Sequence, residues 1–186
     1  MTNNLFFDES QLSRIGKNVI IGKTVRIRYP ELVEIGDNVI IDDFTYISTA
    51  LTIEGNVHIA SGCKFIGGRG AFIKIGEFST LAPNVVLAAG SDDYISGIAS
   101  PLVSVKYKGN VEIGTIEIGR HCIIGANTTV LPNVVFHDGA SVGAQSLVKR
   151  DIKEWTLQAG VPARYLKNRN RQEILRLEKI WKDQEK

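Results

Sequence analysis

Two adjacent carboxylates, Asp92 and Asp93, lie in the stretch AAGSDD at residues 88–93, with Tyr94 directly after them. A second carboxylate nearby raises one of the two pKa values, and burial raises it further. Such a pair can relieve an amine of a proton or hold its ammonium form. An ordinary aspartate, with a pKa of about 3.9, is a poor base for a hydroxyl. Ser91, Asp92, Asp93 and Tyr94 therefore make a candidate acceptor site, with Tyr94 as a stacking surface. The competing reading is a solvated turn, because Ser-Asp-Asp favours turns in any loop.

Two further groups of residues suit the partner in such a reaction. Gly125–Ala126 in IIGANT and Gly143–Ala144 in VGAQSL bring small side chains and accessible backbone amides to neighbouring segments. Lys149, Arg150, Arg164 and Lys167 gather around VKRDIKEWTLQAGVPARYLK, and cations of this kind meet phosphates. The three histidines stand elsewhere. His58 ends an outward hexad, GNVHIA; His121 takes a corner position in IGRHCI; His137 follows an apolar residue on an outward corner.

These residues are positioned by a period of six. Large or branched apolar residues recur at Ile15, Ile21 and Ile27, then at Ile35, Ile41, Ile47, Ile53, Ile59 and Phe65. The series returns at Ile75, Leu81 and Leu87, and again at Ile118, Ile124, Val130, Phe136, Val142 and Val148. Three residues after an anchor, Asn or Gly dominates, and both tolerate the left-handed backbone that a sharp corner needs. A short strand followed by such a corner, repeated, predicts an all-β triangular parallel solenoid, each turn about 4.8 Å above the last.

The register slips at RYPELVE, at GGRGAF and outright between Leu87 and Ile118. The first two read as corner bulges. The third predicts an inserted loop over residues 90–115, and loops of that length inside a compact domain are usually functional. The predicted divisions are a lead-in over 1–14, the solenoid over 15–167 and a C-terminal α-helix over 168–186. Ile174, Leu175, Leu177, Ile180 and Trp181 give that helix one apolar stripe, expected to cap the open end of the solenoid or to pack on a partner.

IGKNVI, IGDNVI and IGANTT follow [LIV]-G-x-N-[VTA]-x, and AGVPAR marks the exit. On these motifs residues 15–167 resemble the hexapeptide-repeat acyltransferases, whose solenoid is a left-handed parallel β-helix. The resemblance implies acetyl-CoA as co-substrate and a homotrimer with acetyl-CoA in the groove between subunits. It also implies an oxyanion-stabilising amide at Ala126 and CoA phosphates at Arg150 and Arg164. Gly125, Ala126, Gly143, Ala144, Lys149, Arg150, Arg164 and Lys167 become the expected CoA site. Sugar O-acetyltransferases of the family use a loop histidine as base, and Asp92 stands where that histidine falls. That departure points to the amine of a nucleotide-linked aminodeoxy sugar; a hydroxyl acceptor remains the alternative.

Composition bounds the rest. A net charge of +2 on 186 residues does not suggest a nucleic-acid binder. No apolar run approaches the roughly 18 residues of a membrane span, and MTNNLFFDES does not read as a secretory signal. Two cysteines make no disulfide framework, so a cytoplasmic enzyme is expected. A γ-carbonic-anhydrase-like hydratase would need three clustered histidines, which this spacing does not offer, and no metal is expected. A non-catalytic solenoid is the remaining class.

Overall fold

A six-residue repeat can stack only if each anchor meets the anchor one turn away, and the computed structural model, which describes residues 4–184, has that register throughout. The first face pairs Ile15, Ile35, Ile53, Ile75, Ile118, Phe136 and Ile152 in succession. The second pairs Ile21, Ile41, Ile59, Leu81, Ile124 and Val142. The third pairs Ile27, Ile47, Phe65, Leu87, Val130 and Val148. All pairs are parallel, and every anchor except Ile15 is buried. Ile15 is 41% exposed because it lies on the first coil, where the stack is open. Ile75 pairs directly with Ile118 and Leu87 with Val130, so the long excursion leaves the coil and rejoins it without shifting the register.

The vertex between the first and second faces changes character along the molecule. Asn18, Asn38, Asn56, Phe78, His121, Gly139 and Trp155 occupy it in turn, all with positive φ between 53° and 71°. Early in the stack the asparagine side chains form a ladder, Asn18 donating to Asn38 at 3.0 Å and Asn38 to Asn56 at 3.2 Å. Later it becomes aromatic: Phe78 stacks on His121 at 5.1 Å, and Trp155 lies 6.0 Å beyond. Gly139 is required there, since a Cβ at that position would fall 2.3 Å from the Trp155 ring.

All three register slips fall on one vertex, between the third and first faces. Tyr46–Ile53 and Lys64–Ile75 run through it as continuous bulged strands, and Pro30–Leu32 makes a 3-10 turn at the same corner. The long excursion departs there after Val86–Ala88. The two short slips are thus neighbours of the loop: the second is a bulge, as expected, whereas the first is a 3-10 turn.

The last coil is closed by an antiparallel hairpin of Thr156–Gly160 and Ala163–Asn168. The helix α1, Arg171–Gln184, does not cover that end. It runs back along the aromatic vertex as far as Asn56, because Phe78 and His121 offer a seat for Ile174, Leu177 and Trp181. Trp181 meets the Phe78 ring edge-on at 5.3 Å. Arg169 fixes the approach, donating to the carbonyls of His121 at 2.6 Å and Gly139 at 2.7 Å.

Glu178 locks α1 to the vertex. Burial raises its pKa, but hydrogen bonds from Lys182, His121 and Arg120 outweigh that and hold it at about 2. A carboxyl depressed in the folded state contributes stability that is complete above its ordinary value, 4.5, and is lost as pH falls towards 2. Trp181 fluorescence should therefore report release of α1 within that window, ahead of loss of the β signal in far-UV circular dichroism. Glu178→Gln should remove the step. A helix that stays docked down to pH 2 in the wild-type chain contradicts this account.

Candidate active site

The inserted loop has an ordered base. Gly90–Ser91 pairs antiparallel with Glu112–Ile113, so the excursion leaves and returns through a short hairpin. Above it Asp93 gathers three backbone amides. Its Oδ1 accepts from Ile95 at 2.9 Å and Ser96 at 3.1 Å, and its Oδ2 accepts from Asn110 at 2.9 Å. The Asn110 amide, then those of Ile95 and Ser96, hold the Asp93 carboxyl below its ordinary value. Gly109, at φ +69°, lets the two arms close, since a Cβ there would lie 2.3 Å from Asp93 Oδ2.

Asp92 is differently placed. Its Oδ1 lies 3.3 Å from Nζ of Lys108, whose side chain is only 16% exposed, while Asp92 itself faces solvent. The adjacent carboxylates therefore do not share a proton site. One is engaged by amides across the loop, and the other stands beside a cation at its mouth. Nothing in the sequence links Lys108 to Asp92: it lies 16 residues along the chain, and only the loop's return brings the two together. Ser91 continues the base of the loop, and Tyr94 projects from it with 92% of its surface exposed.

The small and basic residues divide between two concavities. Lys149, Arg150 and Arg164 line one cavity of about 150 Å³, closed by Gln158, Pro162 and Tyr165. Gly125, Gly143 and Lys167 line another of about 590 Å³, with Ile123, Leu157 and Ile174. Glycine is needed at 125 because a Cβ would meet the backbone N of Ala144 at 2.4 Å. Ala126 and Ala144 follow on neighbouring coils, and Gln145 donates to the Ala126 carbonyl at 2.8 Å. The N–H of Ala126 has no acceptor among the described residues. Ala126 begins the third face on its coil, whereas the loop carrying Asp92 leaves from the opposite edge of that face.

The histidines are engaged elsewhere. His58 lies 2.9 Å from Asp42 on the second face, His121 lies 2.7 Å from Glu178, and His137 borders a groove on the first face. That groove, about 490 Å³, is lined by charged residues such as Lys74 and Glu54, which pair with each other at 2.9 Å.

The fold recurs in known proteins. A dTDP-4-amino-4,6-dideoxy-D-glucose acyltransferase of Escherichia coli is 34% identical over 187 residues, covering 95% of either chain. The chain belongs to the hexapeptide-repeat sugar acyltransferases. No family model matches it. AntD, an N-acyltransferase from Bacillus cereus, superimposes on 98% of this acyltransferase and 100% of its own chain, at 33% identity and a TM-score of 0.89. That structure holds dTDP and 3-hydroxybutyryl-CoA. A variant of AntD is solved with dTDP-4-amino-4,6-dideoxyglucose and Coenzyme A, and matches 97% of this chain with a TM-score of 0.88. The galactoside O-acetyltransferase of Escherichia coli is more distant, at 25% identity over 80% of this chain and 78% of its own. The fold of this acyltransferase is accordingly the left-handed parallel β-helix with a single C-terminal helix. No helix among the described residues is long and apolar enough to cross a membrane.

Proposed function

We propose that this acyltransferase moves an acetyl group from acetyl-CoA to the amine of a nucleotide-linked aminodeoxy sugar, for surface-polysaccharide synthesis, as a cytoplasmic homotrimer. The observation that carries the amine acceptor is Asp92. A carboxylate stands at the mouth of the loop, and the three histidines lie on other parts of the coil. The relatives' names and complexes support the same acceptor class.

In this reading Asp92 draws the acceptor's ammonium away from solvent and takes up, or passes on, one proton. The amine lone pair then attacks the thioester carbonyl, forming the C–N bond. Ala126 N–H stabilises the negative oxygen of the tetrahedral intermediate. The nitrogen's second proton passes to sulfur as the C–S bond breaks, so the thiol leaves and the amide forms. Gly125, Gly143, Ala144 and Lys167 would bound the acyl carrier, with Lys149, Arg150 and Arg164 on its phosphates. Ser91 and Tyr94 would line the acceptor side, and Asp93 would keep the loop in shape.

Two features support assembly of copies in this reading. Asp92 and Ala126 occupy opposite edges of one face, so they meet in a single site most directly across a boundary between copies. Tyr94, Ile95 and Leu102 are each more than 90% exposed on the loop, an apolar surface that another subunit would cover.

Thiol release from acetyl-CoA with dTDP-4-amino-4,6-dideoxyglucose and with its 4-hydroxyl counterpart decides the acceptor. Turnover is expected with the amine; turnover with the hydroxyl alone overturns the reading.

A further inference from the structure

The outward side of the third face carries a basic and aromatic strip near the N-terminus. Arg26, Tyr46 and Lys64 are in register on three successive coils, between the buried anchors of that face. The Arg26 guanidinium lies over the Tyr46 ring, 5.9 Å from its centroid. At the adjoining vertex Tyr29 stands between two more guanidiniums, Arg28 at 5.4 Å and Arg69 at 4.7 Å from its centroid. Arg69 also pairs with Glu31. Among the described residues Arg26, Arg28 and Lys64 have no carboxylate partner, so three solvent-exposed cations have no anion of their own chain.

This strip leads to the loop. The rung after Lys64 is Val86–Ala88, which runs into Ser91 and Asp92. Gly67 and Gly90 touch, a Cβ on Gly90 falling 3.1 Å from Gly67 Cα. From the Arg26 rung to the Ala88 rung is three strand spacings, about 14 Å. Beyond Ala88 the outward positions turn neutral, Thr129 and Leu147, before the cations return at Lys149 and Arg150. One face thus has an anion-attracting end on each side of a neutral middle, with the loop beside the middle.

Two phosphate-bearing reactants meeting tail-out would use both ends. We propose that Arg26, Tyr46 and Lys64, with Arg28, Tyr29 and Arg69 beside them, bind the nucleoside-diphosphate part of the acceptor. The guanidiniums and the ammonium take the pyrophosphate oxygens, and a tyrosine ring gives the base a stacking surface. This assignment rests on the nucleotide-sugar reading for its ligand, but the binding it claims is separable from turnover.

Calorimetric titration of the intact protein with dTDP alone and with CoA alone tests it. Arg26→Ala combined with Lys64→Ala should weaken dTDP binding at least about tenfold and leave CoA affinity within about twofold. Arg26→Lys should restore most of the loss, which a misfolded variant would not show. Lys149→Ala with Arg150→Ala should do the converse, weakening CoA and sparing dTDP. Unchanged dTDP affinity in the first variant, a fall in CoA affinity instead, or no dTDP binding by the wild-type chain at millimolar concentration overturns the proposal. If no amino-sugar nucleotide is turned over yet dTDP binding is lost in the variant, the acceptor reading fails and the strip stands. If turnover proceeds with wild-type KM in the variant, the strip fails and the acceptor reading stands.

Discussion

Asp92→Asn should lower kcat for the amino-sugar acceptor at least about tenfold while leaving CoA binding unchanged, a threshold set below the roughly hundredfold or more that a positioned acid–base group contributes. Asparagine keeps the size of the side chain but removes both its charge and its ability to take a proton. It also frees Lys108, now 3.3 Å from Asp92 Oδ1, to repel an incoming ammonium. Both consequences act on the acceptor and neither acts on the acyl donor, so initial-rate kinetics with each substrate varied separately will resolve them. The loss should be larger at low pH, where the acceptor is ammonium, than at high pH, where free amine is abundant. A rate equal to wild type at every pH would remove Asp92 from the reaction and leave deprotonation to the substrate itself. Lys108→Ala gives the complementary result: if Lys108 only tempers Asp92, the variant keeps activity and binds the acceptor at least as tightly.

Asp93→Ala should reduce turnover by a similar factor through a different cause. Its carboxylate joins Ile95, Ser96 and Asn110, which lie on the two arms of the loop. Without it the arms lose their shared acceptor, and the close approach that Gly109 permits has nothing to hold it. Hydrogen exchange should then accelerate in residues 94–110 while the solenoid keeps its protection and melting temperature, because the anchors pair across the loop without its help. Asp93→Asn, which retains acceptor oxygen on one side only, should fall between. Turnover at the wild-type level, combined with rapid exchange in the loop, would show that loop order does not govern the reaction.

Much of this architecture was legible in the residues. The hexad states which side chain points inward and which meets it one turn later, because the side-chain alternation of a strand and the reach of a tight corner leave one stacking register. The inward residues identified from spacing are the buried ones, with Ile15 exposed only through its place on the terminal coil. The hexad places His121 at a corner, and its φ of 58° agrees. Phe44, Phe78, Gln145 and Trp155 share left-handed corners, though their types give no such signal. There the neighbouring coils override the residue's own preference.

The roles of Asp92 and Asp93 were not separable in sequence. Adjacent residues of one type look equivalent until the chain returns, and only the return of the loop brings the Asn110 amide to one carboxylate and Lys108 to the other. The path of α1 was likewise a matter of tertiary structure. Its apolar stripe says that it must pack, but the aromatic vertex of Phe78, His121 and Trp155 decides where. The strip of Arg26, Tyr46 and Lys64 illustrates the same division, since residues 20 and 18 apart become neighbours only when the coils stack. The local period by itself determined the solenoid and its core, because every repeat restates the same short-range geometry. Only the tertiary structure decided which polar groups face each other, because those meetings depend on how loop, hairpin and helix come back against coils far away in sequence.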